Sequence, residues 1–267
     1  MLIAYYPIVK ALHEEDATIA NYDGKYGFFQ DMLDAKSPKL PWINSIVSPK
    51  KSELDVFTRK IKRGNKYQGI VGPQDIVLLA DLKLDIAWKQ KGIASDRMQK
   101  GYKGVHMDKS SGSVEQAKTV SSIYRIEAKR GFHVHMAMGS LPADESTMTK
   151  TILKLHKESS KEGYAKLGQH FHFPEINMKV DNPLQWVKRA SIMYRDDRYA
   201  VVDALQYNTL VLNPKGFKAT SHTKISATKS LNRPVIVNKP FFVWVTHKKL
   251  DYPLLFGYVK KEFWVND

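Results

Sequence analysis

Leu210-Val-Leu-Asn-Pro-Lys-Gly-Phe-Lys-Ala-Thr-Ser-His-Thr-Lys-Ile-Ser-Ala-Thr-Lys-Ser-Leu231 decides the reading of this chain, together with the Val235-Ile-Val-Asn-Lys-Pro-Phe-Phe-Val-Trp-Val245 that follows it. An apolar strand-like run, Thr209 to Leu212, gives way at Asn213 to a long polar tract, with a small-residue stretch from Ala219 to Ala227 rich in Ser, Thr and Ala. Apolar runs resume only at Val235. A polar tract of this length between strands is either a functional loop or a disordered segment. It has little apolar surface to bury, so it is expected to be exposed and open to proteolysis after Lys224 or Lys229.

Further strands surround the tract. Ile76 to Trp88 starts as a continuous apolar run and ends in alternation at Leu82, Leu84 and Ile86, as suits a strand buried on both faces at one end. Ser122–Glu127, Phe132–Met138, His170–Phe173, Val235–Val237, Phe241–Val245 and Leu254–Val259 read as strands. Helical periodicity predicts helices at Ser146–Ser159 and Pro183–Met193, and a short one at Ser52–Ile61, where Leu54, Phe57 and Ile61 share a face. The first 72 residues mix short helical patterns with breakers. The fold class is α+β, a large mixed sheet plus smaller sheets with surrounding helices and a reduced N-terminal part.

In order and spacing these segments resemble the serpin family, the protease-inhibitor fold with an exposed reactive loop. Asp75 to Trp88 resembles the central strand of the large sheet, ending on its tryptophan, and Val105-His-Met107 resembles the short signal after it. Phe171-His-Phe-Pro174 followed by Pro183-Leu-Gln-Trp-Val187 resembles the next strand and helix. Asn238-Lys-Pro-Phe241 and Leu255-Phe-Gly257 are similar to landmarks of the closing strands. The resemblance implies one domain over 1–267, with a reduced part at 1–72 and a reactive-loop-like segment at 213–234. It also implies a shortened, divergent serpin of the kind found among compact viral ones.

By the same resemblance the loop hinge is Pro214, Lys215, Gly216, Phe217 and Lys218, and the bait bond involves Lys229 and Ser230. Counting forward from Gly216 or back from Asn238 shifts the bait residue by one, so either is admitted. Inhibition in this family needs the cleaved loop to insert as a new strand into the large sheet. The hinge departs from the pattern, with Pro214 and Lys215 where acidic residues are usual and with bulky Phe217 and charged Lys218 where small or uncharged ones are. A buried unpaired lysine costs several kcal/mol, and proline removes a ladder donor. Ala80, Asp85 and Gln206 replace an Asn, a Lys and a His of the family. Poor insertion is therefore expected.

Composition adds a charge argument. The 267 residues carry 42 Lys and Arg against 27 Asp and Glu, a formal net charge of +15. Arg59, Lys60, Lys62, Arg63 and Lys66 form the densest basic cluster, a polyanion footprint or a solvated face. The absence of cysteine excludes disulfides, thiolate nucleophiles and Cys-based metal sites. Two His-x-His pairs, His133/His135 and His170/His172, each place both imidazoles on one strand face, and would grip a metal only if the two strands were neighbours with those faces together. No nucleophile elbow, phosphate loop or dinucleotide fingerprint occurs, and Asp196-Asp197, between Arg195 and Arg198, reads as a surface ion-pair cluster. No enzyme and no cofactor are expected. Met1–Leu12 lacks a basic leader and is interrupted by Pro7 and Lys10, so neither signal peptide nor membrane span is expected and the location is read as intracellular. The leading expectation is a non-inhibitory serpin-fold protein whose basic surface engages an anionic partner: nucleic acid, sulfated glycan or an acidic protein. The alternative is an inhibitor of a trypsin-like serine protease with Lys229-Ser230 as bait.

Overall fold

The computed structural model describes residues 2–35, 41–60, 76–82, 84–95, 97–98, 101–108, 112–115, 122–159, 165–166, 170–183, 185–187, 190–201, 205–218 and 235–266. In chain order these contain β1 (Leu2–Ile3), α1 (Tyr6–Glu14), β2 (Thr18–Ala20), α2 (Phe28–Asp34), β3 (Ile43–Ser48), α3 (Lys51–Lys60), β4 (Val77–Leu82), β5 (Asp85–Ala87), β6 (Ile93–Ser95) and β7 (Gly104–Met107). There follow β8 (Gly112–Glu115), β9 (Ile123–Glu127), β10 (Phe132–Met138), α4 (Glu145–Ser159), β11 (Ala165–Lys166), β12 (Phe171–Pro174) and β13 (Ile176–Pro183). The last strands are β14 (Ser191–Tyr194), β15 (Asp197–Ala200), β16 (Leu205–Asn213), β17 (Gly216–Lys218), β18 (Val235–Ile236), β19 (Phe241–His247) and β20 (Leu255–Val259). The chain divides into two compact units: Met1–Ile3, Leu84–Val180 and Asn208–Asp267 form one, and Ala4–Lys83 and Asp181–Tyr207 the other.

The first unit is built on a seven-stranded sheet in the order β1-β20-β19-β10-β9-β8-β11. Every residue of β19 and β20 is buried, which is why these strands read as unbroken apolar runs rather than as alternation. α4 packs on them through Met148, Thr149, Ile152, Leu155 and Ser159, the i, i+3, i+4, i+7 stripe visible in the sequence. A four-stranded sheet, β18-β12-β7-β6, stands apart from it, and another runs β13-β16-β17-β5. Val235–Ile236 thus pairs in parallel with β12 rather than joining β19. Asn238 and Pro240 separate the two, and proline suits a strand boundary.

In the second unit α1 and α3 pack on β3, which pairs with β4 over Ile43↔Leu82 to Ser48↔Val77. Ser48 fixes the entry to α3: its hydroxyl accepts from the Lys50 amide at 3.0 Å and donates to the Glu53 carboxylate at 2.6 Å, which holds the Glu53 carboxyl below its usual range. The expected helix over Pro183–Met193 is not formed. Pro183 ends β13, Gln185–Val187 makes one 3₁₀ turn, and Ser191 begins β14. Aromatic packing outweighs helical periodicity here, because Trp186 is held by Tyr5, Tyr22, Tyr26 and Phe29 at ring-centroid distances of 5.9, 5.9, 5.0 and 4.8 Å. Beyond it, Arg195 and Asp196 both adopt positive φ, 51° and 68°, and connect Tyr194 to Asp197 as a two-residue hairpin turn. That is the twist a tight hairpin demands, and Asp tolerates it better than most residues.

Candidate functional site: the loop hinge

The segment expected from the resemblance to be the loop hinge, 214–218, lies in the first unit. β16 ends at Asn213, Pro214-Lys215 makes a turn, and β17 returns antiparallel with Leu212↔Phe217 and Asn213↔Gly216 in register. On its other side β17 pairs with β5, Gly216↔Ala87, Phe217↔Ile86 and Lys218↔Asp85. Residues 216–218 of the expected hinge therefore lie as a strand between β16 and β5.

The backbone carbonyls of Asn213, Pro214 and Lys215 each have a partner. The Asn213 side-chain oxygen accepts from the amides of Lys215 at 2.9 Å and Gly216 at 3.3 Å, the local pattern that makes asparagine a turn former. The Asn213 carbonyl accepts from the Trp88 indole N–H at 2.8 Å, that of Pro214 from the Gly92 amide at 2.9 Å, and that of Lys215 from the Trp88 amide at 3.3 Å. The buried backbone is thereby satisfied from the segment that follows β5. Pro214 sits at the turn, where its missing N–H costs nothing. Phe217 is 1% exposed, with its ring 5.9 Å from Trp88 and 6.2 Å from Phe132. The bulky hinge residue, an obstacle by sequence, is an anchor in the fold. In the fold Pro214 falls outside the strand ladder, and alternation turns Phe217 into the core.

Gly216 is where only glycine fits. A Cβ there would meet the Ala87 Cα at 2.7 Å and the Ile86 carbonyl carbon at 3.0 Å, with the Ile86 oxygen closer still. Of the family positions that differ, Ala80 lies on β4, Asp85 is exposed at the start of β5, and Gln206 lies on β16. Lys229, Ser230 and the rest of 219–234 lie outside the described residues.

The basic cluster is described only in part. Arg59 and Lys60 are exposed on the last turn of α3, where the negative end of the helix dipole favours cations, and the Arg59 Nε donates to the Asp55 carbonyl at 3.2 Å. Lys62, Arg63 and Lys66 lie outside the described residues.

The two His-x-His pairs are not brought together, since β10 belongs to the seven-stranded sheet and β12 to the β18-β12-β7-β6 sheet. His133 and His135 line a cavity of about 190 Å³ with His156, His247 and Arg125. His135 stacks on Trp244 at 5.0 Å, its Nε2 is 2.9 Å from the Thr246 hydroxyl, and burial pushes its pKa well below the usual histidine range. His170 and His172 instead meet His106 and Asp108 of the β7 segment. Sequence reasoning passed over that pair, although His106-Met-Asp108 has the same i, i+2 spacing as His170-Phe-His172.

By sequence, no family model and no curated protein matches the chain. By structure it is similar to human glycosylated kallistatin, with a TM-score of 0.60 and 12% identity over 97% of this chain and 90% of that one. It is also similar to Serpin48, a highly specific serpin of the insect Tenebrio molitor, with a TM-score of 0.59 and 10% identity over 97% and 91% of the two chains. Thyroxine-binding globulin in complex with thyroxine matches with a TM-score of 0.57 and 10% identity over 97% and 92%. The chain therefore has a serpin-like, mixed α+β fold. No helix among the described residues is long and apolar enough to cross a membrane.

Proposed function

We propose that this protein is a non-inhibitory serpin-fold binding protein that engages an anionic polymer or an acidic protein through the basic surface at the end of α3. The observation that carries the reading is the closed hinge hairpin. Its turn is held by Trp88 and Gly92, and Phe217 is anchored against Trp88 and Phe132. A hinge already folded in this way has released the free energy of its own insertion and leaves less to drive a later one. The net charge of +15 and the exposed Arg59 and Lys60 supply the electrostatic side.

One observation favours a second reading, an inhibitor with Lys229-Ser230 as bait: β17 lies between β16 and β5, where the resemblance places an inserting loop. One experiment separates the two. The protein is incubated with trypsin-like proteases and, in parallel, titrated with heparin and nucleic acid over a range of salt. The binding reading expects simple cleavage after loop lysines, and polyanion binding whose salt slope flattens when Arg59, Lys60, Lys62 and Arg63 become Ser. An SDS-stable protease complex, or a salt slope unchanged in that variant, overturns it.

A further inference from the structure

We propose that the paired strands β7 and β12 carry a closed site for a divalent transition metal of the zinc class, with His106, Asp108, His170 and His172 as ligands. The register places them together. β7 and β12 are antiparallel with Met107↔Phe171 and His106↔His172 as partners, so the next pair along is Asp108 and His170, whose Oδ1 and Nδ1 are 3.5 Å apart. Met107 and Phe171 are fully buried on one face. With side chains alternating along each strand, the three imidazoles and the carboxylate share the other face as a two-by-two patch.

The rings are already close. His172 Nε2 lies 3.0 Å from His106 Nδ1, and the His106 ring centroid is 4.5 Å from that of His172 and 4.9 Å from that of His170. Two nitrogens bound to one zinc ion at about 2.0–2.1 Å in tetrahedral geometry stand roughly 3.3 Å apart. To admit the ion the pair has to open by a few tenths of an ångström, the proton between the two nitrogens has to leave His106 Nδ1 for its Nε2, and both rings have to turn their lone pairs off the N–N line toward a common point.

A further contact orients the most buried ligand. Ser95 Oγ, at the end of the neighbouring β6, is 2.6 Å from His172 Nδ1 and also accepts the Arg97 amide at 3.2 Å. A hydroxyl oxygen has two lone pairs, so it can accept His172 Nδ1–H as well, which fixes the tautomer with the Nε2 lone pair aimed at His106. Metal-binding histidines are held in this way, with the far ring nitrogen donating to an oxygen behind it. Imidazoles and a carboxylate without thiolates suit zinc, copper or nickel.

Among the described residues no three such donors yet converge on one point. The remaining movement falls on Asp108, whose side chain is 63% exposed, and on the His106 and His170 rings. With four protein ligands the site is structural, and its consequence is mechanical. The ion would cross-link β7 to β12, on which β18 is laid in parallel through Phe171↔Val235 and His172↔Ile236. The anchorage of β18, where the described chain resumes beyond the polar tract, would thus depend on metal.

The test is a titration of the full, untagged chain with Co²⁺, read by visible d–d absorption, followed by displacement with Zn²⁺ and thermal melts with and without Zn²⁺. One equivalent should bind in tetrahedral geometry, and Zn²⁺ should raise the melting temperature. His106→Ala and Asp108→Asn, both at sites open enough to keep the fold, should each weaken binding at least tenfold, and Ser95→Ala about 10–100-fold. His133→Ala/His156→Ala, at the other histidine cluster, should bind as the wild type does. Failure of the wild type to bind one equivalent overturns the proposal, as does binding unchanged in His106→Ala and Asp108→Asn with circular dichroism intact. Loss of binding in the His133/His156 variant alone would likewise overturn it.

Discussion

Gly216→Ala tests whether the hinge is held as described. The added methyl would lie 2.7 Å from the Ala87 Cα and 3.0 Å from the Ile86 carbonyl carbon, with the Ile86 oxygen nearer still. All of these are backbone atoms, so no side chain can swing aside. Ordinary carbon contacts begin near 3.5 Å, so β17 and β5 would have to separate by about 1 Å. A shift of that size takes an N–H···O bond from about 2.9 Å beyond hydrogen-bonding range, at a net cost of about 1 kcal/mol for each bond lost. It also loosens Phe217, which this pairing seats against Trp88. With overpacking at about 1–3 kcal/mol, the expected destabilisation is about 2–4 kcal/mol. Urea unfolding would measure it, with Gly24→Ala as control, since nothing lies within 4 Å of a Cβ there and the change should stay within about 0.5 kcal/mol. Limited trypsin digestion should show faster cutting at Lys218 in the Gly216 variant. Wild-type stability with an unchanged digestion pattern would refute the pairing of β17 with β5.

Two further outcomes follow from the same unit. Trp88→Phe keeps an aromatic side chain but removes the indole donor to the buried Asn213 carbonyl and leaves part of the buried indole volume empty, and should cost at least about 1–3 kcal/mol in urea unfolding. His135 is held neutral by burial, then by His156 on α4, His133 on its own strand and Arg125 on β9, so its folded pKa lies below its unfolded one. The unfolded chain then binds more protons, and stability present above about pH 6.5 should fall as pH drops toward the folded pKa. His135→Gln, which can still donate to Thr246, should show a shallower acid slope in melts taken across that range.

The sequence by itself determined what local chemistry controls. The stripe of α4 and the buried runs of β19 and β20 rest on spacing within a few residues, and the ordered landmarks from Trp88 to Gly257 were enough to indicate a serpin-like fold. What lay beyond it was decided between segments distant in the chain. Trp186 looked helical until four aromatic rings from the first thirty residues gathered round it. Phe217 looked like an obstacle to insertion, because only the packed structure places Trp88 and Phe132 where its ring must go. His170 and His172 could have joined His133 and His135 on a metal only if their strands were neighbours, and strand order set them against His106 and Asp108 instead. Periodicity shows which way a side chain points, whereas its neighbours are fixed by register between strands, a property of no single segment of sequence.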